Sequence, residues 1–311
     1  MIGARGFAGR HAVTALAGHL HVRGAEPGDD LVAAMRGVDV VHVAVELYSP
    51  FGRLRWTGDR RPHPFLAQVV EAARLAGVRR IVHLSSAYAC RPNRAGHVSE
   101  RTRSRPEHLY GRLLARDDAW LRQLADPEVV VLRPAQLFGP GEPVLGRLVH
   151  ALAAGRVPLP GGGRARRTFL AGPDLGQAFV AAGLRGEPYA AYLCGGLEGC
   201  WADLLGAAGG ILRLRGRLGH GSYGLAHLAA AAHLPRTGRA RVCWPTPFLV
   251  EVIGRSWLVD DGWSRRELSW EPAVRTFPEG LAGLADWWYR EVAGPAVPPV
   301  ASTGPGAPSQ V

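Results

Sequence analysis

Apolar residues in this chain fall into two alternating patterns. Residues 38–45 (VDVVHVAV) form a β-branched run of the kind demanded by a strand buried on both faces. Residues 80–84 (RIVHL) and 128–132 (EVVVL) repeat that pattern, the first running into Ser85 and Ser86. Between them apolar positions recur at helical spacing. Helices are predicted over 29–36, 64–76 (stopped by Gly77), 106–124 with a proline near the first turn, 144–154 and 174–184. Short strands are predicted over 168–170 and 189–193, and residues 3–16 read as a glycine-rich turn opening a helix. Strands alternating with helices of this length predict an α/β protein with a doubly wound parallel sheet.

Beyond Gly195 the pattern changes. Residues 201–208, 223–233, 247–253 and 278–292 look helical and strand candidates are scarce, as in a smaller, mainly helical capping region. From Gly294 onward Pro, Gly, Ser, Ala and Val follow without periodicity, the composition of a disordered tail.

Composition narrows the class. No apolar stretch reaches the ~18 residues of a membrane span, and Gly3, Arg5, Gly6 and Gly9 occupy the place of a signal-peptide core. A cytoplasmic protein is expected. Cys90, Cys194, Cys200 and Cys243 are too dispersed for a metal site or a disulfide framework. The net charge of +11 is spread along the chain without an aromatic-interleaved basic run, which argues against nucleic acid. The clusters Arg164, Arg166, Arg167 and Arg213, Arg215, Arg217 read as solvated faces or contacts to an anionic cofactor. All 37 Lys/Arg residues are arginine, so lysine is removed from every chemical role.

The segment GARGFAGRH spaces Gly3, Gly6 and Gly9 by three residues. Such glycines allow a tight turn, close backbone approach to a pyrophosphate and close helix packing, and the helix N-terminus then offers free N–H groups to phosphates. With the strand GVDVVHVAV, the helix and strand VVEAARLAGVRRIVHLSSA, the turn VVVLRPAQLFGPGEP and the carboxy-terminal block WSRRELSWEPAVRTFPEGLAGLADWWYREV, this loop resembles the extended short-chain dehydrogenase/reductase family in order and in kind. Within that family the resemblance leans toward NAD-dependent epimerase/dehydratases and the 3β-hydroxysteroid dehydrogenase-like branch.

The resemblance implies a Rossmann-like dinucleotide-binding domain over 1–140 and 168–195, a substrate-capping region over 141–167 and 196–293, and a tail over 294–311. It implies NAD or NADP as cofactor, held by Gly3, Gly6, Phe7, Ala8, Gly9, Ala44, Val45 and Pro134. A small-molecule substrate follows, sterol-, polyketide- or sugar-like, and a homodimer with no membrane or nucleic-acid partner. The reacting pair of the family maps to Ser86 and Tyr110: the tyrosine exchanges a proton with a hydroxyl or carbonyl while the nicotinamide exchanges a hydride. The family's lysine, one helical turn later, lowers the tyrosine's pKa. That position holds Leu114 here. Arg112 and Arg116 do not share the Tyr110 face, so any substitute cation has to come from another segment.

Two further departures concern cofactor grip. Only Met1 and Ile2 precede Gly3 where the family has a full apolar strand, and no second strand follows the first helix around residues 19–23. An upstream start would explain the first but not the second, which favours divergence or a deletion that shortened the edge. The NAD/NADP choice is therefore unread, and Arg5 and Arg10 are candidates for a 2′-phosphate. His42 and His83 read as satisfied core histidines, Cys90 as a pocket neighbour, Trp263, Trp270, Trp287 and Trp288 as cap packing, and Asp117 and Asp118 as helix-surface acids. The expected function is an NAD(P)-dependent oxidoreductase or epimerase with weakened or altered catalysis. The alternatives are a non-redox dehydratase or cyclase on the same scaffold, or a non-catalytic dinucleotide-binding regulator.

Overall fold

The computed structural model describes residues 1–49, 54, 61–102, 104–233 and 246–292; the tail expected from Gly294 onward lies outside them. In chain order the first part holds α1 (Phe7–Ala17), α2 (Leu31–Met35), β1 (Val40–Val43), α3 (Pro64–Ala76), β2 (Arg80–Leu84), β3 (His97–Ser99), α4 (Leu109–Leu121) and β4 (Glu128–Pro134). Then come β5 (Gln136–Phe138), α5 (Pro143–Ala153), β6 (Arg156–Pro160), β7 (Arg167–Ala171), α6 (Gly172–Arg185) and β8 (Ala191–Cys194). The remainder is β9 (Leu197–Gly199), α7 (Trp201–Ile211), β10 (Arg217–Gly221), α8 (Tyr223–His233), α9 (Pro247–Gly254), β11 (Leu258–Asp260), α10 (Gly262–Leu268), α11 (Phe277–Gly280) and α12 (Leu284–Glu291).

The apolar runs became the central sheet. Strands β1-β2-β4-β8 lie side by side, all parallel, with Val41 opposite Ile81 and Ile81 opposite Val129. Both faces are covered, as a parallel sheet requires. On one face Leu66, Val69 and Val70 of α3 and Leu121 of α4 pack on Val41, Ile81 and Val129. On the other, Ala12 and Leu16 of α1 and Leu175, Ala178 and Phe179 of α6 pack on Val82, Val130 and Leu132. Close approach of α1 and α6 depends on Gly176, where a Cβ would lie 2.4 Å from the His11 carbonyl oxygen.

The two strands thought short or missing exist in rudiment. Ile2 makes a parallel bridge to Val43 on one side and to Ala25 on the other. The Ile2 amide donates to the His42 carbonyl at 2.8 Å, the Ala44 amide to Ile2 at 3.0 Å and the Gly3 amide to Ala25 at 2.9 Å. The expectation that the second strand is absent is corrected on this point. A single bridged residue, Ala25, holds its place, too brief for any periodicity to betray. The sheet order is thus Ala25, Ile2, β1, β2, β4, β8. Chain direction across the sheet reverses between Ile2 and β1, and such switch points are where open α/β sheets bind ligands.

Elsewhere the elements differ from the pattern for local reasons. The helix expected over 106–124 is shorter, because His108 caps it: His108 Nδ1 accepts from the Gly111 amide at 3.0 Å. Pro106 stays outside. The helix expected over 278–292 is two, since Gly283 between them takes a left-handed conformation at φ +78°. Helix α3 ends at Gly77 as expected, at φ +71°. Strands are not scarce after Gly195: β9 joins β5 and β7 in a second sheet, β10 pairs with β6, and β11 pairs with β3. These strands are too short to show alternation. A separate core fills this part, built from Leu145 and Leu148 of α5, Trp201 and Leu204 of α7, Leu249 and Val252 of α9, and Trp288 of α12.

Candidate functional site

Helix α1 begins at the switch point. Its N-cap, Gly6, supplies no side-chain hydrogen bond to the first turn, so the N–H groups there remain available. The turn before it is built for glycine. Gly3 has φ +76°, and a Cβ on Gly9 would sit 1.9 Å from the Gly3 carbonyl oxygen. A cleft of about 300 Å³ opens over this helix end. It runs from Gly6, Phe7 and Ala8 past Ala44 and Val45 and Pro134 to Ser86, Tyr88 and Tyr110, with Phe248, Leu249 and Val252 of α9 as the far wall. Gly3 and Gly9 do not line it; they shape the loop beneath.

The floor is set by β2 and the turn after it. Ser86 Oγ accepts from the Tyr88 amide at 3.3 Å and starts a short 3₁₀ turn over Ala87–Ala89. Ser85 Oγ donates to Asp118 Oδ2 at 3.0 Å, and Arg133 Nε donates to the same oxygen at 2.8 Å. Arg133 Nη1 reaches Cys90 Sγ at 3.5 Å. Asp117 and Asp118 are 0% and 1% exposed, so they are not surface acids. Asp117 accepts from the Tyr48 hydroxyl at 2.6 Å and from Arg116 Nε at 3.0 Å. Both carboxylates hold the floor through buried charged partners. Cys90 is buried and burial pushes its thiol up, which disfavours the thiolate that a nucleophile needs.

The expected reacting pair lines one cleft, where among the described residues no cation joins it. Leu114 follows Tyr110 on the same face of α4, and it lines the cleft as an apolar group. Among the described residues Tyr110 Oη has no hydrogen-bond partner. Burial, then Glu46, Tyr88 and Glu142, raise its pKa. Glu142 is itself pushed up to about 7 by burial, although the Leu145 and Val144 amides hold its carboxylate. Among the described residues no arginine or histidine lines the cleft.

Three residues in or beside the site were not picked out as site residues by the sequence. Tyr88 lines the cleft and packs against Tyr110, Phe248 and Trp257 with ring centroids 6.4, 5.1 and 4.7 Å apart. Arg167 is 1% exposed, which corrects its assignment to a solvated or anion-facing cluster. Its companion Arg166 does sit at the surface, paired with Glu198 at 2.6 Å. Glu26 stands directly after the Ala25 bridge, where its Oε1 accepts from the Arg5 amide in the glycine loop at 3.0 Å. None of the three carries a motif. Only tertiary proximity singles them out.

The histidines set aside from the sequence are buried as expected, but among the described residues His83 has no partner on either ring nitrogen and His42 none on Nδ1. Burial pushes His42 down to about 3. Trp270 and Trp288 pack in the cores, while Trp263 stacks on Tyr192 with centroids 5.2 Å apart. No helix among the described residues is long and apolar enough to cross a membrane, and no cluster of metal-ligating side chains occurs among them.

Residues 65–195 match the model of the NAD dependent epimerase/dehydratase family. That segment is similar to NAD-dependent epimerase/dehydratase domains. The match takes in β2, the Ser85-Ser86 pair, α4 and the second half of the central sheet, and β1 and the glycine loop lie before it. The fold of the whole chain is shared by solved structures at low sequence identity. It is similar to a nucleoside-diphosphate-sugar epimerase from Pseudomonas aeruginosa at 22% identity, covering 92% of this chain and 95% of that one, with a TM-score of 0.69. It is similar also to the dTDP-glucose 4,6-dehydratase of Streptomyces venezuelae, at 19% identity with 92% and 95% coverage and a TM-score of 0.69. A third likeness is to the UDP-glucuronic acid 4-epimerase of Bacillus cereus, at 18% identity with 92% and 97% coverage and a TM-score of 0.68. Among curated proteins none matches the chain.

Proposed function

We propose that this protein is an NAD-dependent enzyme of the epimerase/dehydratase type, acting at a hydroxyl or carbonyl group of a small, hydroxyl-rich metabolite. The observation that carries this reading is the continuity of one cleft. It joins an uncapped helix N-terminus, after a turn that needs glycine at Gly3 and Gly9, to a serine and two tyrosines. The helix end suits a pyrophosphate, Ala44, Val45 and Pro134 offer a flat apolar passage beyond it, and Ser86 with the tyrosines awaits the reacting oxygen. When bound, the dinucleotide supplies reversible hydride transfer at its nicotinamide. Ser86 keeps its hydroxyl proton to donate to the substrate oxygen, since its Oγ acts as acceptor in the turn.

Two further features refine the reading. Glu26 places a carboxylate beside the glycine loop, where it suits the ribose hydroxyls of NAD and repels a 2′-phosphate. Glu46, Glu142 and Gln136 give the substrate end hydrogen-bond acceptors, and among the described residues no arginine or histidine lines it. That lining favours a polyhydroxylated, sugar-like group over a sterol. The solved dehydratase and the Bacillus epimerase carry NAD, and the latter also UDP-glucuronic acid.

Fluorescence titration with NADH and NADPH tests the cofactor assignment. Absorbance at the nicotinamide band, with NAD⁺ and UDP-glucose, UDP-glucuronic acid or dTDP-glucose, tests the chemistry. NADH binding with transient or net reduction of NAD⁺ is the expected result. No binding at millimolar cofactor overturns the proposal. Binding with no hydride exchange on any hydroxyl or carbonyl compound, unaltered in the Ser86→Ala protein, favours the regulatory reading suggested by Leu114.

A further inference from the structure

Arg167 is a buried cation with no anion to answer it. Its side chain is 1% exposed, and among the described residues no carboxylate forms an ion pair with it. Nη2 donates to the Arg255 carbonyl at 3.1 Å, Nε has no partner, and Nη1 donates to Tyr88 Oη at 2.6 Å. A guanidinium stripped of water and left unpaired costs several kcal/mol on the order of other buried ions. Among the described residues, the ionisable oxygen within its reach is the Tyr88 phenol. A phenolate there would be the missing counter-charge.

We propose that Tyr88, backed by Arg167, is the proton-transferring residue of this active site, in place of the Tyr110 that the sequence pattern indicates. This rests on the functional reading above. Tyr88 stands two residues past Ser86 in the same 3₁₀ turn and lines the same cleft. Its hydroxyl donates to Gln136 Oε1 at 3.2 Å and accepts from Arg167, which leaves one lone pair of the oxygen unused. Gln136 also lines the cleft, so the hydroxyl proton can be redirected from the amide to a substrate oxygen without moving the ring.

The groups facing the two tyrosines differ in sign. Around Tyr88 stand Arg167 from β7, Glu142 before α5, Glu251 on α9, and His108 and Tyr110 from the start of α4. Burial holds the Tyr88 phenol above its ordinary value on balance, and Arg167 opposes this by charge and by hydrogen bond while Glu142 and Glu251 add to it. Around Tyr110 every contribution raises. His108 is held neutral, at about 4, by its own burial. An arginine cannot relay a proton, since its own pKa is above ~12. Its part is to hold the negative charge that appears on Tyr88, which makes it a positioning residue.

In the reducing direction a hydride, with its electron pair, moves from NADH to the carbonyl carbon. The C=O π pair shifts onto oxygen and forms a bond to the Tyr88 hydroxyl proton. Alcohol, NAD⁺ and the Tyr88 phenolate beside Arg167 result, and water returns the proton. Oxidation of an alcohol is the reverse, with Tyr88 starting as phenolate.

The test is a pH-difference absorbance titration of the phenolate band in the cofactor-free protein, with Tyr88→Phe subtracted from wild type to isolate one tyrosine. Replacing Arg167 by Met is expected to move that titration upward by about one to three pH units. Arg167→Lys should restore part of the difference. With NAD⁺ and a turned-over nucleotide sugar, Tyr88→Phe is expected to slow hydride transfer about 100-fold or more, and Tyr110→Phe less than about tenfold. Since Tyr88→Phe leaves Arg167 without its partner, the Tyr88→Phe/Arg167→Met double variant provides a well-satisfied reference of the same chemistry. An unmoved Tyr88 titration in Arg167→Met overturns the proposal. So does full hydride transfer in the double variant with loss in Tyr110→Phe. Failure to bind NADH would instead sink the functional reading, and the cofactor-free titration would still judge the Tyr88–Arg167 pair.

Discussion

Gly9 passes so close to Gly3 that a methyl group on its Cα would sit 1.9 Å from the Gly3 carbonyl oxygen. The contact is backbone against backbone, so no rotamer change relieves it. Gly9→Ala is expected to lower stability by about 1–3 kcal/mol, the usual cost of overpacking, and to weaken NADH binding more than the loss of stability accounts for. Thermal unfolding and NADH titration on the same preparation check both halves.

Glu26 and the Arg5 amide tie the second-strand rudiment to the glycine loop. NADH is expected to bind at least about tenfold more tightly than NADPH, because a carboxylate facing a 2′-phosphate costs more than ~1.4 kcal/mol. Glu26→Ser should narrow that ratio by weakening NADH and relieving NADPH. Equal affinities in the wild type would remove Glu26 from the assignment.

Glu142 gives stability a pH dependence of unusual sign. Its folded pKa is raised from 4.5 to about 7 by burial, so the folded protein holds a proton there that the unfolded chain releases. The contribution is fully present below about pH 4.5 and is lost as pH rises through 7, with an upper bound of ~3 kcal/mol. Glu142→Gln keeps a cap oxygen and removes the titration. The difference in urea stability between wild type and variant should therefore fall steadily in the wild type's disfavour from pH 5 to pH 8. A constant difference across that range counts against the buried neutral carboxyl.

Asp118 holds two groups of the cleft floor, Ser85 and Arg133. Asp118→Asn removes the charge and leaves Arg133 buried and unpaired, at an expected cost of about 3–5 kcal/mol in chemical denaturation. Replacing both, as Asp118→Leu/Arg133→Met, should recover much of that loss. If the double variant is as unstable as the single one, packing rather than charge is what the pair contributes.

Leu114 occupies a position from which a cation would reach Tyr110. Leu114→Lys is expected to lower the Tyr110 titration by about one to three pH units in phenolate absorbance. Its effect on hydride transfer separates the two tyrosines, since a large gain would mean that Tyr110 lies at the reacting oxygen after all.

The sheet was legible because its strands are buried on both faces, and an unbroken β-branched run such as 38–45 or 128–132 suits little besides a covered strand. Helix α3 was legible to the residue because Pro64 and Gly77 punctuate it. The Gly6–Ala8 turn was marked by its glycine spacing and Ser86 and Tyr110 by the family resemblance, and all of them line one cleft. What escaped was everything whose meaning comes from distance in sequence. Arg167 meets Tyr88 across 79 positions, and nothing near either residue records the other. Asp117 and Asp118 read as polar on a helix whose inner face happens to carry charged partners. Ala25 escaped for a different reason, since a strand of one bridge has no period.

The Ile2 bridge has a bearing on how this protein should respond to its ligand. Met1, Ile2 and Gly3 supply the ladder bonds that pin the glycine turn between Ala25 and β1, so few bonds separate a formed turn from an opened one. Such an edge opens at a cost below that of unfolding the core. A dinucleotide seated on α1 draws on the closed form alone, and it would act as the clasp of the sheet margin as much as its cargo. Amide exchange at Ile2, Gly3 and Ala25 should slow as cofactor is added, in proportion to occupancy, while exchange at Ile81 and Val130 stays as it was.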